Sequence, residues 1–193
     1  MLSPKRRNMS EQDDELDAPT QEIVQAVEAG ADAIQVPEEM LAEAPLGTPP
    51  TPAAVVQSLY AQIVTMGMAE KIKLALRGNK DARLILIRDA AKMIRRLVVM
   101  NPRISDAEII SIARTRSADE DLLRLIVNRR EWMRNYQVRL ALATNAKTPL
   151  PIAMKQVTSL SDRDLRQLAK SKNVSQTIAS QARRLLMAKG EAG

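Results

Sequence analysis

The residues of this chain whose types and spacing could bear chemistry are arginines and a few aromatics. Arg95 and Arg96 are adjacent, as are Arg129 and Arg130 and again Arg183 and Arg184, while Arg134 and Arg139 lie on the stretch that carries Trp132 and Tyr136. A guanidinium is a rigid fork of donors that matches the paired oxygens of a carboxylate or phosphate. Trp132 and Tyr136 are four residues apart and so share a face if the segment is one helix, with Arg139 three beyond Tyr136. An aromatic ring beside cations can stack on a base or on a partner's side chain. Arg95, Arg96, Arg129, Arg130, Trp132, Arg134, Tyr136 and Arg139 are therefore the candidate binding residues. The plainer reading makes the two rings packing residues and the arginines a solvated surface.

Other chemistry is excluded by what the chain lacks. It has no cysteine and no histidine, which removes thiolate catalysis, disulfides, iron–sulfur ligation, and the commonest general base and metal ligand. No Gly-x-x-x-x-Gly-Lys phosphate loop is present. Asp119, Glu120 and Asp121 are the densest acidic group after residue 50, but they fall where a helix begins, and carboxylates there favour the helix dipole. No nucleophile–base pair, metal set or cofactor site can be drawn, so the chain reads as no enzyme. No apolar run approaches the roughly 20 residues of a membrane span. The basic start, Met1 to Arg7, is followed by acidic residues and not by an apolar segment, so it does not read as a secretory leader and a cytoplasmic protein is expected.

The elements that must position these residues divide at about residue 50. Residues 1–50 carry eleven acidic and three basic residues, net −8, with Pro45, Pro49, Pro50 and Pro52 near the exit. That composition predicts a disordered acidic tail and a stiff linker. Within it, Ile23, Val24, Val27, Ala31 and Ile34 have near-helical spacing, which leaves either a transient helix or one that docks. Residues 51–193 carry 26 basic and 12 acidic residues, net +14. With only three aromatics, their core must be built from Leu, Ile, Val, Ala and Met. This favours an all-α domain of short, closely packed helices over a sheet. A helix opening at Thr51-Pro52 is expected to bury Val55, Val56, Leu59, Ile63 and Met66, and Met68–Arg77 is expected to follow, ending at Gly78. Asp81–Ile87 and Ala90–Met100 read as two helices or one bent one. Ser105 with Glu108, Ser117 with Glu120, and Ser161 with Asp164 have capping spacing, Glu131–Ala143 reads as one helix, and Thr148 and Ser175 start two more.

The joints repeat. Arg96-Leu-Val-Val-Met-Asn101-Pro-Arg-Ile-Ser105 parallels Arg139-Leu-Ala-Leu-Ala-Thr-Asn145-Ala-Lys-Thr148, with weaker echoes at Asn79 and Asn173. Expected helix starts at 105, 117 and about 131 recur at 148, 161 and 175, which implies three short helices per repeat. Helices of this length are marginal alone in water, so they must stack, and about three repeats of an α-solenoid satisfy that need. Val138-Arg139-Leu-Ala-Leu-Ala143 followed by Asn145-Ala-Lys-Thr148-Pro149, together with Met100-Asn101-Pro102, resembles bacterial HEAT-like and leucine-rich-repeat-variant arrays over roughly residues 70–186. The resemblance implies a HEAT/armadillo-like α-solenoid that binds on a curved face. It carries no catalytic residue across, and the absence of cysteine excludes a cluster like that of the iron–sulfur-bearing members. The expected function is a non-catalytic scaffold or adaptor whose basic face receives an acidic segment of another protein. The alternative is a solenoid that binds the backbone of DNA or RNA. The opposite charges of 1–50 and 51–193 further suggest that the acidic tail lies on the basic face.

Overall fold

The computed structural model describes residues 17–45, 48–49, 51–116 and 118–190. Among these residues every regular element is helical, as the shortage of aromatics predicts. The chain divides into two compact units, Met1–Pro102 and Arg103–Gly193.

The first unit begins earlier than expected. Asp17 caps α1 (Ala18–Ala29) by accepting from the Thr20 amide at 3.1 Å. Gly30 closes the helix at φ 69°, the left-handed conformation glycine adopts without penalty. Val24 and Val27 of α1, and Met40 of a single 3-10 turn at Glu38–Met40, are buried in the same core as Ile72, Leu74, Leu86, Ile94 and Leu97. The expectation of a separate tail over residues 1–50 is thus corrected for residues 17–45. A few aliphatic side chains offset the acidic background there because α1 packs on α3 (Met68–Arg77) and Met40 joins the same core. Residues 1–16 lie outside the described residues.

Next come α2 (Ala53–Thr65), α3, α4 (Lys80–Leu86) and α5 (Lys92–Met100), so the ambiguous stretch after Asn79 is two helices. Ile63 alone is buried on α2; Val56, Leu59 and Met66 are half-buried and Val55 is exposed, contrary to the expected inward stripe. Gly78 ends α3 in an extended conformation. Its lack of a side chain matters through close approach, since a Cβ there would sit 2.2 Å from the Leu74 carbonyl oxygen.

The second unit holds α6 (Asp106–Arg114), α7 (Glu120–Asn128), α8 (Arg130–Arg134), α9 (Tyr136–Thr144), α10 (Leu150–Val157), α11 (Asp162–Lys170) and α12 (Gln176–Gly190). Ser105 and Glu108 form the expected reciprocal capping box on α6, and Ser161 accepts from the Asp164 amide on α11. Ser117 lies outside the described residues, and α7 starts after Asp119. Two expectations fail for local reasons. Glu131–Ala143 is not one helix, because Asn135 breaks it and caps α9 by accepting from the Gln137 amide at 2.9 Å. Thr148 does not cap α10. The position three residues on, whose amide a capping hydroxyl would use, is Pro151, which has no N–H. The Thr148 side chain, 7% exposed, leaves its hydroxyl buried without a hydrogen-bond partner.

The repeated asparagines have a repeated job. Asn101 follows α5 and donates its amide to the Ala75 carbonyl of α3 at 2.9 Å. Asn145 follows α9 and donates to Ala113 of α6 at 2.7 Å and to Thr115 at 3.1 Å. Each satisfies carbonyls that a helix end leaves without partners. Each joins the first helix of a group to the last, α3 to α5 and, across α7 and α8, α6 to α9, and α10 packs on α12 in the same relation as α3 on α5. Asn79 does likewise for the 3-10 turn, donating to Glu39 and Ala42 at 2.7 and 3.2 Å. Asn173 is exposed, so that echo is one of sequence only.

Asn145→Ala should lower unfolding stability by about 1–3 kcal/mol, because it strands buried carbonyls. Asn173→Ala should change it by less than about 0.5 kcal/mol. Urea denaturation of the two variants checks the contrast. Thr148→Val removes a hydroxyl that has no partner, and should leave stability unchanged or raise it by up to about 1 kcal/mol in the same assay.

Candidate partner-binding surface

The candidate residues are not one cluster. Arg95 and Arg96 stand on α5 in the first unit, half-buried, and the Arg95 guanidinium donates to the carbonyls of Asp89 and Ala90. It closes the loop between α4 and α5 and is occupied by the backbone. The other six belong to the second unit.

There α8 is a single short turn that carries Trp132 inward. The indole is 7% exposed, and the Arg129 guanidinium lies 5.4 Å from its ring centroid, an arrangement attractive through the ring's quadrupole. Burial leaves this ring no open face on which a base could stack. Tyr136 begins α9 and points to the start of α11. Its hydroxyl donates to the Asp164 carboxylate and accepts from the Ser161 amide at 3.0 Å. The Arg139 guanidinium covers the Tyr136 ring at 5.6 Å and donates to the Met133 carbonyl at 3.2 Å, while its Nε is buried without a partner. Trp132, Tyr136 and Arg139 thus fasten α8, α9 and α11 together. The expected shared helix face is absent, since the break at Asn135 rotates the two rings out of helical register. Arg129, Arg130 and Arg134 remain exposed.

A row that the sequence reading passed over lies on α11. Arg163, Arg166 and Lys170 are exposed at positions i, i+3 and i+7, opposite the buried Leu165 and Leu168, so they line one face over roughly 10 Å. Arg163 and Lys170 form no ion pair among the described residues. The signal was present in the alternation of basic residues with leucines, but it is less conspicuous than adjacent arginines. Beside the row, Lys189 of α12 bonds the Asp162 carboxylate at 2.6 Å. That bond, the charge of Lys189 and the field of Arg166 hold the Asp162 carboxyl below its usual range, against a smaller opposing effect of desolvation.

Charge is unevenly shared. The second unit carries 17 basic against 9 acidic residues, net +8, whereas the first carries 12 against 14, net −2. In the first unit several acidic groups are matched internally. Asp32 pairs with Lys73 at 2.7 Å, Glu43 with Arg83 at 2.5 Å, and Asp89 with Lys71 at 3.0 Å. Two carboxylates of the acidic segment, Asp32 and Glu43, are thus paired within their own unit's packing.

Among the described residues no group of three or more His, Cys, Asp or Glu is placed to hold a metal ion, and no helix is long and apolar enough to cross a membrane. No known protein family, characterised protein or solved structure matches the chain.

The Asp32–Lys73 pair gives the first unit a defined acid response. The hydrogen bond from Lys73, with its charge and the Ile34 amide, holds the Asp32 carboxyl below its ordinary value against desolvation. Its contribution is complete above the unfolded-state pKa of about 3.9 and is lost as pH falls through the lower folded value. Asp32→Asn should therefore be less stable than the parent near neutrality, with the difference shrinking below about pH 4. Thermal unfolding as a function of pH measures it.

Proposed function

We propose that this chain is a non-catalytic binding module and that its Arg103–Gly193 unit receives an acidic segment of a partner protein. The observation that carries this reading is the row of exposed cations on α11, Arg163, Arg166 and Lys170, in a unit of net charge +8. A desolvated cation without an anion is costly, so such groups stay exposed until a complementary surface arrives. Complementary charge then accelerates the encounter and fixes register. The row is short and straight, and its three–four spacing suits carboxylates at the same spacing on a partner helix. Arg129, Arg130 and Arg134 add cations on the same unit.

The nucleic-acid reading has less support from the rings. Trp132 is buried and the Tyr136 hydroxyl is engaged, which leaves few platforms for unpaired bases. The HEAT-like arrangement suggested by the joints is compatible with a binding module, and the pairing of the first and last helices of each group supports it.

The test is affinity capture with the tagged full chain from lysate, with and without nuclease, beside the variant Arg163→Glu/Lys170→Glu. Proteins retained stoichiometrically after nuclease and lost with the variant support the proposal. Direct titration of a retained protein's acidic segment should then show affinity falling at least about 10-fold in the variant at low salt. Recovery of only nucleic acid and its companions, abolished by nuclease, overturns it in favour of phosphate-backbone binding.

A further inference from the structure

The first unit presents a second surface of opposite character. From residue 44 to residue 69 the chain contains no charged side chain, although 27% of the whole sequence is charged. The span includes all of α2, which is largely outside the core it packs on. Ala53, Gln57, Tyr60 and Val64 are exposed, the last two at 56% and 52%. Their spacings of four, three and four place them in one row along the helix, alternating as the inward positions of a coiled coil do. Ala54 and Ala61 flank the row on one side and are small enough to let another helix approach. An apolar row of this kind, on a helix that carries no charge of its own, marks a contact surface and not a solvated face.

We infer that this row is a self-association surface and that its occupant is α2 of a second copy of the chain. In a two-fold contact the same patch meets itself, so any charge near the axis would face its own sign. A span free of charge satisfies that condition, and elsewhere a chain of net charge +6 repels its copy. Gln57, the polar member of the row, is its own complement. Each side-chain amide offers both a donor and an acceptor to its counterpart, and a polar residue at an inward position sets register. A partner of opposite charge would find no ion to pair with here. One helix of 13 residues spans about 20 Å and covers less than the roughly 800 Å² per partner of a standard interface, so the dimer is weak and reversible.

The experiment is sedimentation equilibrium of the full chain from about 1 µM to about 1 mM, a range that brackets weak dimers. It is run on the parent, on Tyr60→Lys/Val64→Lys, on Tyr60→Glu/Val64→Glu, and on an equimolar mixture of the two variants. The substituted side chains are exposed, and circular dichroism confirms that each variant keeps its helix content. The parent is expected to shift from monomer to dimer with concentration. Each variant alone should dissociate at least about 10-fold more readily, and the mixture should regain dimers through Lys–Glu pairing across the axis. A parent that is monomeric throughout overturns the inference. So does a dimer that both variants leave intact, or a mixture that stays monomeric while the parent dimerises.

Discussion

The structure depends on a buried asparagine that replaces water at the end of a helix. The last carbonyls of an α-helix have no partners within it, and in a protein of such short helices those ends are a large share of all backbone polar groups. Asn101 and Asn145 resolve this in the same way. Each follows one helix and sends its amide to the carbonyl end of the first helix of its own group. A buried donor shared between two elements also fixes their relative rotation. Aliphatic contacts alone, being non-directional, would leave that rotation poorly determined. The aliphatic core provides most of the stabilisation, and the amides determine how the helices fit.

Charge is arranged by the same economy. In the first unit Asp32, Glu43 and Asp89 meet Lys73, Arg83 and Lys71 within the fold. Residues 17–45 are therefore a structural layer whose Val24, Val27 and Met40 share the core. In the second unit positive charge exceeds negative, and part of it stands outward on α11 and α8. A carboxylate-bearing partner on one unit and a second copy at the uncharged α2 on the other would use different physics. The first contact would weaken with salt, whereas the second would not.

Residue type and periodicity settle a good deal here. The absence of histidine and cysteine, the aliphatic composition, the Ser105–Glu108 box, the boundaries of α3 and the 44-residue separation of the paired asparagines are all local or compositional. Each is read from residue identity or spacing along the chain, without reference to a contact that folding creates. Tertiary structure decided whatever depends on a distant neighbour. It drew residues 17–45 into the core because α3 offered sites for Val24 and Val27. It turned Trp132 inward under Arg129 and tied Tyr136 to Asp164, converting expected ligand contacts into packing. It left most of α2 outward although its sequence reads as buried, since an apolar helix does not record which neighbour covers it. Asn145 and Asn173 are the same residue in similar phrases, yet Asn145 is buried with its amide on the end of another helix while Asn173 is exposed. A hydrogen bond needs its acceptor placed to within a fraction of an ångström, and that placement belongs to the fold as a whole.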